Sequence, residues 1–282
     1  MKKNRTKAAW ITTVVVVLLA LVVLMIDVFA FPLEYLSVKW KPTKVVRAEE
    51  GDLCLYYPEV DGHAVVTQFP DGSFGLIGTG RKESYKSLLR YLEGLKVSRL
   101  AFVALTNASD GEIGGAMRVL DYVKTDALFI VPDVKSRPSY ATIESIAKKR
   151  KTEIAELAFG TNLGNYGVSV RALGACTYLQ SGLYYEYAPI WMDAGDGVLL
   201  GGYADWKKVF EVAQINAPEI NFAGLEILET LKENQTEWIQ EMVPQVVVTA
   251  GDQQELMKEI LPDATVYAAQ SGDRLIIKNV LE

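Results

Sequence analysis

Asn107-Ala108-Ser109-Asp110-Gly111-Glu112-Ile113-Gly114-Gly115, directly after the apolar run Leu100 to Leu105, is the stretch of the chain whose residue types come closest to chemistry. Asp110 and Glu112 could begin an oxygen site for a hard cation such as Mg²⁺ or Ca²⁺, which takes carboxylate ligands. Ser109 is a candidate nucleophile, but a serine attacks only when an adjacent base activates it, and no base can be assigned to it. The same residues also suit a plain turn. Asn107, Ser109, Asp110 and Gly111 are ordinary turn formers that satisfy local backbone groups. Glu112 fits the first turn of a following helix, where a carboxylate faces the positive end of the helix dipole.

The histidine count narrows the chemistry. A catalytic zinc site takes about three protein ligands, usually led by neutral imidazoles. This chain has one histidine, His63, in 282 residues, and two cysteines, Cys54 and Cys176, far apart in sequence. These cannot readily furnish a zinc centre, whereas carboxylate sites for hard ions remain open. His63 has the one side chain type whose ordinary pKa lies near neutrality, which invites a catalytic role. A lone loop histidine is more simply a surface or hydrogen-bonded residue. The two cysteines could pair in an exported domain or serve separately as small buried residues.

A formal charge of −6 opposes an extended polyanion-binding face, because such binding is driven by Lys and Arg releasing counterions. Nucleic acid is therefore not an expected partner. The one basic run, Lys148-Lys149-Arg150-Lys151, falls at the end of an expected helix and complements its dipole there.

Residues 1–7 carry Lys2, Lys3, Arg5 and Lys7, and a charge-free stretch rich in Val and Leu runs from Ala8 to Ile26. A helix needs about 20 such residues to cross the hydrocarbon core. Residues 8–30 are thus expected to form a single transmembrane anchor, with the basic flank cytoplasmic and the remainder outside. A cleaved signal peptide is the competing reading, but the apolar region is long for one. Residues 31–42, with two prolines and several aromatics, read as a linker, and 43–282 as one domain.

Within that domain the expected strands are Leu53 to Tyr57, Ala64 to Phe69 and Phe74 to Ile77, with Pro70-Asp71-Gly72-Ser73 as a hairpin turn. A helix over Glu83 to Leu95, the buried strand Leu100 to Leu105, a helix over Ile113 to Val123 and the strand Ala127 to Val131 then alternate. Next come a helix over Pro138 to Lys149 and strands over Glu153 to Ala158, Tyr166 to Ala172, Leu183 to Met192 and Gly197 to Gly201. Helices are expected over Asp205 to Val212 and Leu225 to Met242. A strand, helix, strand, strand ending follows: Gln245 to Thr249, Gln253 to Ile260, Thr265 to Tyr267 and Arg274 to Lys278. Antiparallel strands followed by alternating units, repeated once, predict two mixed sheets with helices outside each.

Several of these segments, in order, resemble the metallo-β-lactamase superfamily. Leu105-Thr106-Asn107-Ala108-Ser109-Asp110-Gly111-Glu112 resembles its T-H-x-H-x-D-H signature with every histidine replaced. Leu76-Ile77-Gly78-Thr79-Gly80, after Pro70-Asp71-Gly72, resembles P-D-G…L-I-D-T-G with glycine at the aspartate. Leu55 to Val66, and Ala264 to Tyr267 with Ser271 to Ile277, look like the opening strands and the closing hairpin of the competence-protein-type extracytoplasmic domain associated with the DNA-uptake channel ComEC. The resemblance implies a four-layer αββα sandwich, behind the anchor. It places Asn107, Ser109, Gly111 and Glu112 at former metal-ligand positions, Tyr203 at the bridging-aspartate position and Gly224 near the later histidine. Asp110, Glu112 and Tyr203 would then line a possible ligand cleft.

In that superfamily metals lower the pKa of bound water from about 15.7 toward about 7, and none of the replacements forms a plausible zinc ligand set. The expectation is a membrane-anchored, extracytoplasmic pseudoenzyme without a metal cofactor, retained for binding or scaffolding beside another membrane or envelope protein. The alternative is a metal-dependent phosphodiesterase or nuclease with a carboxylate site.

Overall fold

The computed structural model describes residues 15–16, 35–173, 176–180, 183–202, 222–228, 237–269, 271–272 and 274–278. The chain divides into two units, Met1–Pro42 and Thr43–Glu282. In the first, Val15, Val16 and residues 35–40 are helical, so the expected linker contains a short helix. The rest of the expected anchor lies outside the described residues, among which no helix is long and apolar enough to cross a membrane.

The second unit is built on two seven-stranded sheets. The first contains β1 (Leu53–Tyr56), β2 (Val65–Gln68), β3 (Phe74–Ile77), β4 (Arg99–Leu105), β5 (Lys124–Ile130) and β6 (Glu153–Glu156), with β16 (Arg274–Ile277) outside β1. Pairing is antiparallel from β16 to β3 and parallel from β3 to β6. The β2–β3 turn is set chemically: Asp71 Oδ1 accepts from Ser73 N at 2.9 Å and Oγ at 2.6 Å. Parallel strands need crossovers, and these are helices α1 (Tyr85–Gly94), α3 (Ala116–Tyr122) and α4 (Tyr140–Arg150), with the single turn α2 (Asp110–Ile113) before α3. Helix α1 buries Leu88, Leu89 and Leu92, the i, i+1, i+4 stripe of an amphipathic helix.

The second sheet repeats the scheme. Its members are β7 (Asn162–Asn165), β8 (Ser169–Ala172), β11 (Ile190–Ala194), β12 (Asp196–Leu200), β13 (Phe222–Ile227), β14 (Val246–Thr249) and β15 (Thr265–Ala268). It is antiparallel from β7 to β12 and parallel from β12 to β15. Trp191, Leu199, Leu225, Val247, Ile239, Met242 and Met257 form one buried cluster that joins this sheet to α5 (Glu237–Met242) and α6 (Gln254–Ile260). The sheets meet through Tyr166, whose ring stacks 4.7 Å from Phe69, and through Ala188 N, which donates to Thr106 O at 2.9 Å. Two mixed sheets with helices are consistent with the expected αββα sandwich.

Several expected elements are corrected. Leu225 to Met242 is not one helix: Phe222–Ile227 is a strand, and the helix is Glu237–Met242. A short strand paired on both sides in a parallel array lacks the alternation that marks a half-exposed strand, so its apolar run reads equally well as a helix. Leu183 to Met192 is two strands, β10 (Leu183–Tyr187) and β11, separated at Ala188-Pro189. Pro189 has no N–H to continue a ladder, and β10 pairs instead with β9 (Cys176–Gln180) as a separate hairpin. Tyr166 to Ala172 is the turn and second strand of the β7–β8 hairpin. The expected closing hairpin is absent as such, because β15 pairs with β14 and β16 with β1, in different sheets. Cys54 is a free thiol buried in β1, so it forms no disulfide; burial pushes its pKa up to about 12. The expected helix over Asp205 to Val212 lies outside the described residues.

Candidate functional site

The loop after β4 turns the chain back sharply under its own hydrogen bonds. Asn107 Oδ1 accepts from Ser109 N at 2.7 Å, and Ser109 O accepts from Glu112 N at 3.0 Å to open α2. This turn directs Glu112 inward, with its side chain 0% exposed. The carboxylate therefore does not cap the helix. Its Oε1 accepts from Thr106 N at 2.9 Å and Thr106 Oγ1 at 2.6 Å, and its Oε2 lies 2.7 Å from His63 Nδ1. The Glu112 carbonyl in turn accepts from Thr79 N and Thr79 Oγ1, both at 2.7 Å.

His63 enters from the loop between β1 and β2 and is 2% exposed. Its Nε2 lies 3.2 Å from Oε1 of Glu226, a buried residue of β13 in the other sheet. A histidine from one sheet's loop is thus clasped between glutamates of both halves. Glycine makes the approach possible at two places. Gly62 (φ +89°) has its missing Cβ position 2.2 Å from Gly111 O, and Gly78 (φ +68°) has its own 2.4 Å from His63 O and 3.0 Å from Glu112 Oε2. Any side chain at Gly78 would collide with the histidine backbone, which accounts for glycine where the resembling motif has aspartate.

Burial is the strongest single influence on His63 and disfavours its charged form, but Glu112 and Glu226 together override it and raise the pKa well above 6.5. Charge–charge attraction and both hydrogen bonds act in that direction. The ring is accordingly an imidazolium held between two carboxylates. Among the described residues Glu226 Oε2 has no hydrogen-bond partner, and neither does the buried Tyr57 hydroxyl. Burial and then the nearby Glu226 raise the Tyr57 pKa well above 10.0.

The residues singled out in the sequence are distributed differently from a single cleft. Asn107 is buried in the turn, Ser109 is the residue just before α2, and the Gly111 carbonyl accepts from His63 N at 2.8 Å. Asp110 turns to solvent, 79% exposed, and pairs with Arg137 Nη2 at 2.7 Å. Asp110 and Glu112 therefore diverge and do not assemble the carboxylate pair considered for Mg²⁺ or Ca²⁺. Gly224 is an interior β13 residue facing Val198 and Leu275, and the residue reaching the core is Glu226, two positions along the same strand. Tyr203 lies outside the described residues. The sequence does not single out Glu226, because Leu225-Glu226-Ile227-Leu228 reads as helix; an isolated acid in an apolar run is the signal that points to it, since such an acid is buried only when paired.

Comparison with solved structures supports the architecture. CmlA, a diiron β-hydroxylase from Streptomyces venezuelae, aligns with TM-score 0.51 at 12% identity over 82% of this chain and 55% of that one. A single-substitution variant of it reaches TM-score 0.54. Zn²⁺-bound PqqB from Methylobacterium extorquens aligns at TM-score 0.53 and 8% identity over 79% of this chain and 99% of that one. A metallo-β-lactamase from Cronobacter sakazakii aligns at TM-score 0.42 and 13% identity over 77% of this chain and 84% of that one. CmlA and PqqB are metallo-β-lactamase-fold proteins, and the alignments with them show that this domain shares their fold. The chain spans about half the length of the hydroxylase it matches. No family model and no curated protein sequence matches it.

The fold implies a metal, and the donor set does not fit one. Both ring nitrogens of His63 are engaged by acids, and both oxygens of Glu112 are occupied by Thr106 and His63. Because the ring stands between the two glutamates, the three side chains cannot converge on one ion. Among the described residues no group of three His, Cys, Asp or Glu could hold a metal ion.

Proposed function

We propose that this chain is a membrane-anchored, extracytoplasmic domain of metallo-β-lactamase fold that works as a non-catalytic binding or scaffolding module. The observation that carries this reading is the Glu112–His63–Glu226 clasp, with the imidazolium 2.7 Å and 3.2 Å from its two carboxylates. A positive charge supplied by the protein offsets in part the acids that in a metalloenzyme would face a cation. A hydrolytic site needs a group to activate water and another to stabilise the charge that develops; here the histidine and Glu112 are spent on each other. The competence-protein-type resemblance and the charge-free apolar stretch from Ala8 to Ile26 support placement beside membrane or envelope proteins.

The test is metal analysis of the full chain purified in detergent without chelators, paired with a phosphodiester hydrolysis assay in Mg²⁺ and Mn²⁺. Substoichiometric metal and no turnover are expected. One tightly held zinc, manganese or iron per chain, lost on Glu226→Ala, would overturn the reading in favour of a metal-dependent hydrolase. Protease protection of residues 1–7 in sealed right-side-out membranes, with cleavage of the domain, checks the proposed orientation.

A further inference from the structure

One cavity lies away from the His63 core and shares no lining residue with it. It encloses about 550 Å³ between the segment entering the domain at Thr43–Val46, helix α1 and the turn before β16. That volume is within the range of about 300–1,000 Å³ typical of small-molecule sites. Lys44, Arg90 and Arg274 all line it, against one acid, Glu59. Among the described residues none of the three cations pairs with a carboxylate. The hydrogen bonding recorded for their side chains is a single one, from Arg274 Nη1 to Val46 O, while the buried Arg90 Nε has no partner.

In a chain of net charge −6, three cations around one acid are a local reversal of sign. Buried guanidinium N–H groups without acceptors cost free energy unless a ligand supplies them. Planar guanidinium forks match phosphate oxygens in pairs, and lysine adds a point charge. Tyr91 and Tyr267 form aromatic wall beside them. We infer that this cavity is an anion site that binds a phosphomonoester, with Arg90 and Arg274 gripping the phosphate dianion and Lys44 at the mouth. The excess of two positive charges over Glu59 suits a dianion rather than a monoanion. The site is independent of whether the His63 core is catalytic.

The test is isothermal titration of the full chain in detergent micelles with inorganic phosphate and with phenyl phosphate, at constant ionic strength. Saturable binding at one site is expected, tighter for the aryl ester. Arg90→Gln should weaken it roughly tenfold, the loss of one charge-assisted contact. Lys44 is exposed at the cavity wall, so Lys44→Gln should leave the fold intact and weaken binding severalfold through charge alone. Phosphatidic acid mixed into the micelles distinguishes the sources: loss of phosphate binding assigns the site to a lipid headgroup, and unchanged binding assigns it to a soluble phosphomonoester. Absence of saturable heat, or equal affinity in wild type, Lys44→Gln and Arg90→Gln, would overturn the proposal.

Discussion

Charge is gathered in two places in this domain, and it is handled oppositely in each. Around His63 the ring meets an acid on each side at hydrogen-bond distance and all three side chains are buried. Around the cavity behind α1, Lys44, Arg90 and Arg274 outnumber their one acid and stay beside open space. The difference follows from desolvation. An ion taken out of water must be repaid by partners inside the protein, whereas an ion at a cavity wall keeps part of its hydration and can exchange it for a ligand. The first arrangement therefore acts on folding and the second on recognition, and substitutions should separate them along that line.

The largest effect is expected from His63→Ala. Removing the imidazolium leaves Glu112 and Glu226 buried without their shared cation, which costs about 3–5 kcal/mol against a total stability of about 5–15 kcal/mol. Chemical denaturation of the domain should show this as a large fall in midpoint, or as failure to accumulate folded protein. His63→Gln, which keeps hydrogen-bonding capacity but no charge, should recover only part of the loss. If His63→Ala unfolds within about 1 kcal/mol of wild type, the clasp is not the structural element described.

The next effect is a pH dependence with a definite sign. His63 has its folded pKa raised well above 6.5. A raised pKa means the folded state holds the proton more tightly, so its contribution is complete below about 6.5 and is lost as pH rises through the folded value. The Cys54 thiol, raised by burial from 9.0 to about 12, acts in the same direction but starts only above about 9. Stability should thus begin falling just above neutrality in wild type, and only above about pH 9 in a His63→Gln background. Identical profiles for the two proteins between pH 6.5 and 9 would remove the imidazolium from the account.

The legibility of these two places in the sequence differed for physical reasons. The first sheet could be read closely: Phe74–Ile77 occurs as expected, and β4 and α1 fall within a residue or two of expectation, because a hairpin turn and helical spacing punctuate that half. The second half gives weaker signals. Its β13 is a short apolar strand indistinguishable from a helical segment, and with β13 misread Glu226 had no place beside His63. The partnership itself spans 163 residues of sequence, a separation that local pattern does not reach. For Glu112 the resemblance gives a position and not a partner, since in the resembling motif that position faces a metal, whereas here the carboxylate meets Thr106 and His63. The cavity has no local sequence signal: Lys44, Arg90 and Arg274 are scattered in sequence, Thr43 N bonding Arg90 O sets the entering segment on α1, and the return of β16 beside β1 adds Arg274.

The smallest expected effect sharpens the contrast from the solvent side. Asp110 is only two residues from Glu112, yet it is 79% exposed and its partner Arg137 is 33% exposed. Exposed pairs gain little, because water screens them and two long side chains must be held still, so such a pair is worth under about 1 kcal/mol. Asp110→Ala should therefore leave the denaturation midpoint nearly unchanged, and a double-mutant cycle with Arg137→Ala should give a coupling of about 0.5 kcal/mol. Asp110→Ala should also leave metal content and the alkaline profile as in wild type, since its carboxylate points away from His63. A large loss, or a change in metal content, would mean that Asp110 swings inward to join Glu112. That outcome would restore the carboxylate ion site that the present geometry separates, and with it the case for hydrolysis.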